Sequence, residues 1–134
     1  MIKVVLDTNI LVSSLLSKGP PAVIVDLIPH GKIIPFYSGL ILQEYSEVLS
    51  RDKFGFSLLQ VRRLIDDIVR TGMAIDDKPP SKTAMEDEDD RVFYDTAVEA
   101  GAYLVTGNIR HFPPDSFIVT PAQFLSFFHK ADTD

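Results

Sequence analysis

Three acids and one amide, Asp7, Glu44, Asp90 and Asn108, stand where they could share a cation. Asp7 stops the apolar run Ile2, Val4, Val5 and Leu6, and Thr8 and Asn9 follow it. Such a run fits a buried strand of a parallel sheet. Its terminal carboxylate then lies at the strand's C-terminal end, where open α/β sheets place their ligands. Glu44 borders a helical stripe formed by Ile41, Tyr45, Val48 and Leu49. At about 100° per residue, Phe93 and Ala97 fall within ~60° of Asp90, so Asp90 points along a buried face, at its helix's first turn. Asp95, about 140° away, is expected to be solvated. Asn108 lies just past the apolar segment Tyr103 to Thr106, as Asp7 lies past the first strand.

Isolated charges at such positions carry a desolvation cost. Converging carboxylates also repel, by about 4 kcal/mol per pair at ~4 Å and an effective dielectric near 20. A hard divalent cation with oxygen ligands resolves both problems. Asp, Glu and Asn ligands suit Mg²⁺ or Mn²⁺. With no His-x-x-x-His and no cysteine, zinc is disfavoured.

Each residue also has a plainer reading. Asp7 could cap the helix that follows it. Glu44 could be an acid at the edge of an amphipathic helix, and Asp90 could serve a helix dipole or a capping box. Asn108 is a common turn residue. If the sheet folds as expected, however, all four positions can converge at one end of it.

The elements follow from pattern. A first strand is predicted to Leu6, then short helices near Thr8 to Leu16 and Ala22 to Ile28, separated by Gly19-Pro20-Pro21. Ile33 to Tyr37 reads as a second strand, with Pro35 implying a kink. Helices are expected over Leu40 to Ser50, Leu58 to Thr71 (Val61, Leu64, Ile65 and Ile68 inward), Asp89 to Ala100 and Ala122 to His129. Short strands are expected at Met73 to Ile75, Tyr103 to Thr106 and Phe117 to Val119, and an exposed loop at Asp76 to Glu86. The alternation implies one domain, 1–134, of α/β class, with a parallel sheet covered on both faces.

Composition sets outer limits. The chain has 134 residues, 46% hydrophobic and 24% charged, which suffices for one real core. Lacking cysteine, it is compatible with a reducing cytoplasm. No segment approaches the roughly 20 apolar residues of a membrane span, and the first strand leaves no room for a signal peptide. The net charge of −6 argues against a nucleic-acid reader that works by phosphate neutralisation. It does not exclude a nuclease, because bound cations reverse the local field.

Three segments carry a family resemblance: VVLDTNILVSSLL at the start, LILQEYSEVL around Glu44, and EDEDDRVFYDTAVEAGAYLVTGNIRHF from Glu86 to Phe112. Together they resemble the PIN domain, and most closely the stand-alone VapC-like toxin components of toxin–antitoxin systems. The resemblance implies a three-layer α/β/α sandwich with a five-stranded parallel sheet in order 3-2-1-4-5. It maps the family's first three acids onto Asp7, Glu44 and Asp90, and its fourth, often Asp, onto Asn108. It implies Mg²⁺ or Mn²⁺ at that site and hydrolysis of RNA. As partners it implies a cognate antitoxin and a second copy of the chain; Phe124, Leu125, Phe127 and Phe128 could contribute to such a pairing, although core packing is the expected use of that stretch. Thr8, Asn9 and Thr106 are candidates for orienting Asp7, and Arg110 and His111 for meeting a phosphate. Lys78, Lys82, Arg62 and Arg63 could form a basic rim, although charge on loops and outer helix faces is usually only solvation.

Three alternatives compete. A haloacid-dehalogenase-type phosphotransferase needs a second Asp two residues after the first, and that position is Asn9. A receiver domain wants paired acids at the first strand's end and a Lys after a later strand; neither is evident. A catalytically silent PIN module acting as a protein- or RNA-binding scaffold is favoured by Asn108.

Overall fold

Runs of β-branched and apolar residues form the strands, and Gly, Pro and Ser punctuate them. The computed structural model describes residues 1–133, with side chains through Lys130. The chain runs β1 (Ile2–Leu6), α1 (Thr8–Leu16), α2 (Pro20–Asp26), β2 (Ile33–Tyr37), α3 (Gly39–Leu49), α4 (Leu58–Thr71), β3 (Met73–Ala74), α5 (Arg91–Ala100), β4 (Tyr103–Val105), β5 (Ile118–Val119) and α6 (Pro121–Thr133). The strands form one parallel sheet in the order β3-β2-β1-β4-β5, flanked by helices, as the resemblance implies. The central strand is the most apolar, because both its faces are covered: Val4, Val5 and Leu6 are buried.

Helix α5 lies against β1, β2 and β4, and α3 sits beside α4 and α5; α2 packs on α1 and α6. Helix starts are written locally. Ser38 accepts a hydrogen bond from the Ile41 N–H, and Ser57 and Gln60 form a reciprocal capping box. The inward residues of α3 are Ile41, Tyr45 and Leu49, while Val48 is only half-buried. Phe124 and Phe128 of α6 are buried in the core, and Leu125 and Phe127 pack partly buried against it.

Pro35 sits inside β2, which has a partner on each side. The Tyr37 carbonyl accepts from the Ile75 N–H on the β3 side. By the two-residue alternation of a strand, Pro35 turns the same way. Strand β3 begins only opposite Phe36, so the missing N–H falls where there is no ladder partner. Gly72 fills that place: a Cβ there would lie 2.2 Å from the Pro35 carbonyl oxygen and 2.5 Å from that of Ile68.

Two expectations change in detail. The expected Asp89 to Ala100 helix divides into a 3-10 turn, Glu88–Asp90, and α5, leaving Asp90 at the junction. Asp95 is not simply solvated. It accepts from the Ser81 N–H (2.9 Å) and hydroxyl (2.6 Å), because residues 81–88 fold back over α5. A helical wheel gives an angle on the helix and does not register a loop that covers it.

Candidate acidic site

At the C-terminal ends of β1 and β4, Asp7 and Thr106 leave the sheet side by side, joined by the Asp7 N–H donating to the Val105 carbonyl (3.0 Å). Topology explains the crevice. From β1 the chain winds outward to β2 and β3, and β4 and β5 lie on the other side.

Asp7 is 6% exposed, although it is a carboxylate. Its Oδ2 accepts from the Thr106 hydroxyl at 2.8 Å and from Asn9 Nδ2 at 3.2 Å. The Thr106 oxygen in turn accepts from the Asn108 backbone N–H at 3.0 Å, and Asn9 Oδ1 accepts from the Gly107 N–H at 3.1 Å. A threonine hydroxyl has one proton to give. Its donation to Asp7, while it accepts from Asn108, holds the carboxylate and the β4 turn in fixed relation. Asp7 makes no side-chain capping bond to α1, so the plain capping role is not realised.

Burial pushes the Asp7 carboxyl above its ordinary value; the Thr106 hydroxyl and the Thr8 N–H oppose this, Glu44 adds to it, and Asn9 opposes it. Glu44 reaches the same region from α3, where its Oε2 accepts from the Thr8 hydroxyl at 2.7 Å. Beside it, the buried Tyr45 donates its hydroxyl to the Leu6 carbonyl at 2.6 Å, tying α3 to the last residue before Asp7.

Asp90 makes no capping bond to α5 either. Its Oδ2 is buried with no hydrogen-bond partner, and His111 Nδ1 lies 3.6 Å away. Burial first, then the charges of Asp7 and Asp87, push the Asp90 carboxyl up to about 6, with His111 opposing them and Asp89 adding to them. A buried acceptor left without a donor is rare and calls for an explanation.

All four sequence candidates line one open cleft of about 350 Å³, together with Thr8, Asn9, Ser13, Phe54, Asp87 and His111. Asn108 is exposed at its rim. Among the described residues, no three acidic or imidazole side chains are gathered tightly enough to hold an ion as they stand. Glu44 is turned toward Thr8, and the group recorded beside Asp90 Oδ2 is the His111 imidazole rather than a second carboxylate. The donor chemistry nevertheless fits a hard cation: carboxylate oxygens, one of them unpartnered, under mutual repulsion.

Sequence reasoning missed Asp87 and Phe54. Asp87 was hidden within the acidic run from Glu86 to Asp90, where composition alone does not say which acids turn inward. Its Oδ1 accepts from the Asp89 N–H, and it lines the cleft. Lys78 pairs with Glu99, and Lys78, Lys82, Arg62, Arg63 and Arg110 do not line the acidic cleft. A second cavity of about 190 Å³ is lined by Ser38, Arg91 and Asp95 among others, and contains none of the four candidates. At its edge Arg91 donates to the Ser81 and Thr83 carbonyls (2.8 and 2.6 Å), which holds residues 81–88 and so places Asp87.

Among the described residues no helix is long and apolar enough to cross a membrane. No solved structure matches the chain at a significant level. The sequence is 32% identical over 110 residues to "Uncharacterized protein MJ1680" of Methanocaldococcus jannaschii, covering 80% of this chain and 71% of that protein. The family model described as "PIN domain" matches residues 3–110, a stretch that includes Asp7, Glu44, Asp90 and Asn108. PIN domains are generally nucleases that use divalent metals, and this chain belongs to the PIN domain family.

Proposed function

We propose that this chain is a metal-dependent endoribonuclease, acting as a single nuclease domain and serving as the toxin of a toxin–antitoxin pair. The observation that carries the nuclease reading is Asp90 Oδ2, buried without a donor at a cleft it shares with buried Asp7. Asp7, Glu44 and Asp90 are the residues that would hold Mg²⁺ or Mn²⁺, with Asn108 assisting through its amide oxygen. Such an ion, when bound, lowers the pKa of water and neutralises charge on a phosphate under in-line attack.

The protein's own contribution is positional. Thr106 and Asn9 fix the rotamer of Asp7, Thr8 holds Glu44, and the junction before α5 sets Asp90 into the cleft. His111, beside Asp90 at the cleft, is placed to meet a phosphate oxygen.

RNA as substrate, a cognate antitoxin and self-association rest on the likeness to toxin-type PIN proteins, and a cytoplasmic location rests on a composition without cysteine. A silent scaffold is the second reading, favoured by Asn108 in place of a fourth acid and by the loose spacing of the acids.

The test is cleavage of a labelled structured RNA beside a single-stranded DNA of matched sequence, with Mg²⁺, Mn²⁺ or EDTA. Metal-dependent cutting of the RNA supports the proposal. Cutting in EDTA, or of DNA alone, contradicts it, and inertness toward both with no metal bound favours the scaffold.

A further inference from the structure

We propose that Phe54 is a stacking platform that seats one base of a single-stranded nucleic acid beside the acidic cleft. The inference rests on the nuclease reading and adds how the strand is held.

Phe54 closes the 3-10 turn Asp52–Phe54, between α3 and α4, and lines the cleft with Asp7, Glu44 and Asp90. It is a half-buried phenylalanine that belongs neither to the buried core nor to the partly buried apolar side chains packed on it. Its neighbour Phe56 does pack on the core, and the two rings stack with centroids 5.4 Å apart and planes 8° from parallel.

The backbone enforces this pairing. Gly55 adopts φ +65 between the two, so side chains two residues apart can stack; a residue with a Cβ is strained there. The turn is closed by the Phe54 N–H to the Arg51 carbonyl and the Gly55 N–H to the Asp52 carbonyl, both at 3.1 Å. The ring is therefore preorganised and buttressed from behind by a core-anchored partner.

Lys53 Nζ lies 5.1 Å from the Phe54 centroid. This lysine is exposed, and an exposed cation–π contact is weaker than base–aromatic stacking, so an arriving base displaces it. The displaced ammonium stays beside the strand's phosphates.

Electrostatics supply the reason for such a platform. A chain of net charge −6 with an acidic cleft attracts phosphates poorly. Stacking on a π-face gives affinity independent of phosphate charge and tolerant of sequence. It requires an unpaired base, which selects single strands, loops and ends over duplex.

The experiment measures anisotropy of a short labelled single-stranded RNA with wild type, Phe54→Ala and Phe54→Trp, in Ca²⁺ in place of Mg²⁺ and with a gel check that the strand stays intact. A series of the same strand with one abasic site moved along it is titrated in parallel. Phe54→Ala weakens binding about ten-fold and Phe54→Trp restores it. One abasic position weakens the wild type comparably and adds nothing to Phe54→Ala. Equal binding by wild type and Phe54→Ala overturns the proposal. So does a loss that is the same on every abasic strand, or no binding by the wild type. Thermal melts check that the variants are folded. Cleavage of the same strand, with Asp7→Asn beside the wild type, separates the two claims. Asp7-dependent cutting with no effect of Phe54→Ala leaves the nuclease standing and removes the platform. Binding through Phe54 with no cutting does the reverse.

Discussion

The hydroxyl of Thr106 donates to Asp7 Oδ2 at 2.8 Å across the β1–β4 boundary, joining residues 99 positions apart. Both side chains are buried, so neither can exchange its partner for bulk water. Thr106→Val keeps the shape and removes the donor. It should destabilise the protein by about 1–3 kcal/mol, the cost of an unsatisfied buried group, and lower nuclease activity through a mobile Asp7. Chemical denaturation and cleavage rates check this; an unchanged stability would mean that Asp7 relies on other donors.

Asp90 gives a pH dependence of opposite sign to that of a salt-bridged carboxylate. Its folded pKa stands at about 6 against an ordinary 3.8. The folded state thus binds more protons than the unfolded state between those values, and stability falls as pH rises through them. Above that window the charged carboxylate is a standing cost. Asp90→Asn should therefore stabilise the metal-free protein, by about 1–2 kcal/mol at pH 7 after allowing for solvent screening, and by little near pH 3. Melts in EDTA across this range read the difference directly. A gap that widens toward low pH would contradict the burial of that charge.

Tyr45 anchors α3 to the end of β1 through a buried 2.6 Å bond to the Leu6 carbonyl. Tyr45→Phe leaves that carbonyl without this donor and should cost about 1–2 kcal/mol. Because Glu44 and Asp7 flank this tie, activity should fall further than the loss of folded protein explains. Cleavage assays run well below the melting temperature separate the two effects.

At the rim, Asn108 presents an amide where a carboxylate would add charge. Asn108→Asp should tighten Mn²⁺ binding ~10-fold, the Coulomb energy of one more charge several Å from a dication in high dielectric. Titration calorimetry measures it, and no change would remove Asn108 from the ion's surroundings.

The sheet was legible because β1, β2 and β4 are short apolar runs bounded by Asp, Ser, Gly and Asn, and that pattern admits few alternatives. Pro35 looked like a defect because a sequence does not reveal that β3 begins one residue later. Asp7 and Asp90 were legible from position: one ends a buried run, the other shares a face with Phe93 and Ala97. What lay beyond reach was contact between distant segments. Ser81 over Asp95, Asp87 turning into the cleft and Phe54 standing on Phe56 all depend on how loops fold back. Helical and strand periodicities carry no record of that.

On the proposed function Asp7 and Asp90 face one divalent ion. Calorimetric titration of Mn²⁺ into wild type, Asp7→Asn and Asp90→Asn at neutral pH is the measurement that decides this. The wild type should bind Mn²⁺ saturably, with a loss of at least about ten-fold in each variant, the scale of one removed charge beside a dication. Equal Mn²⁺ affinity in all three proteins would contradict it.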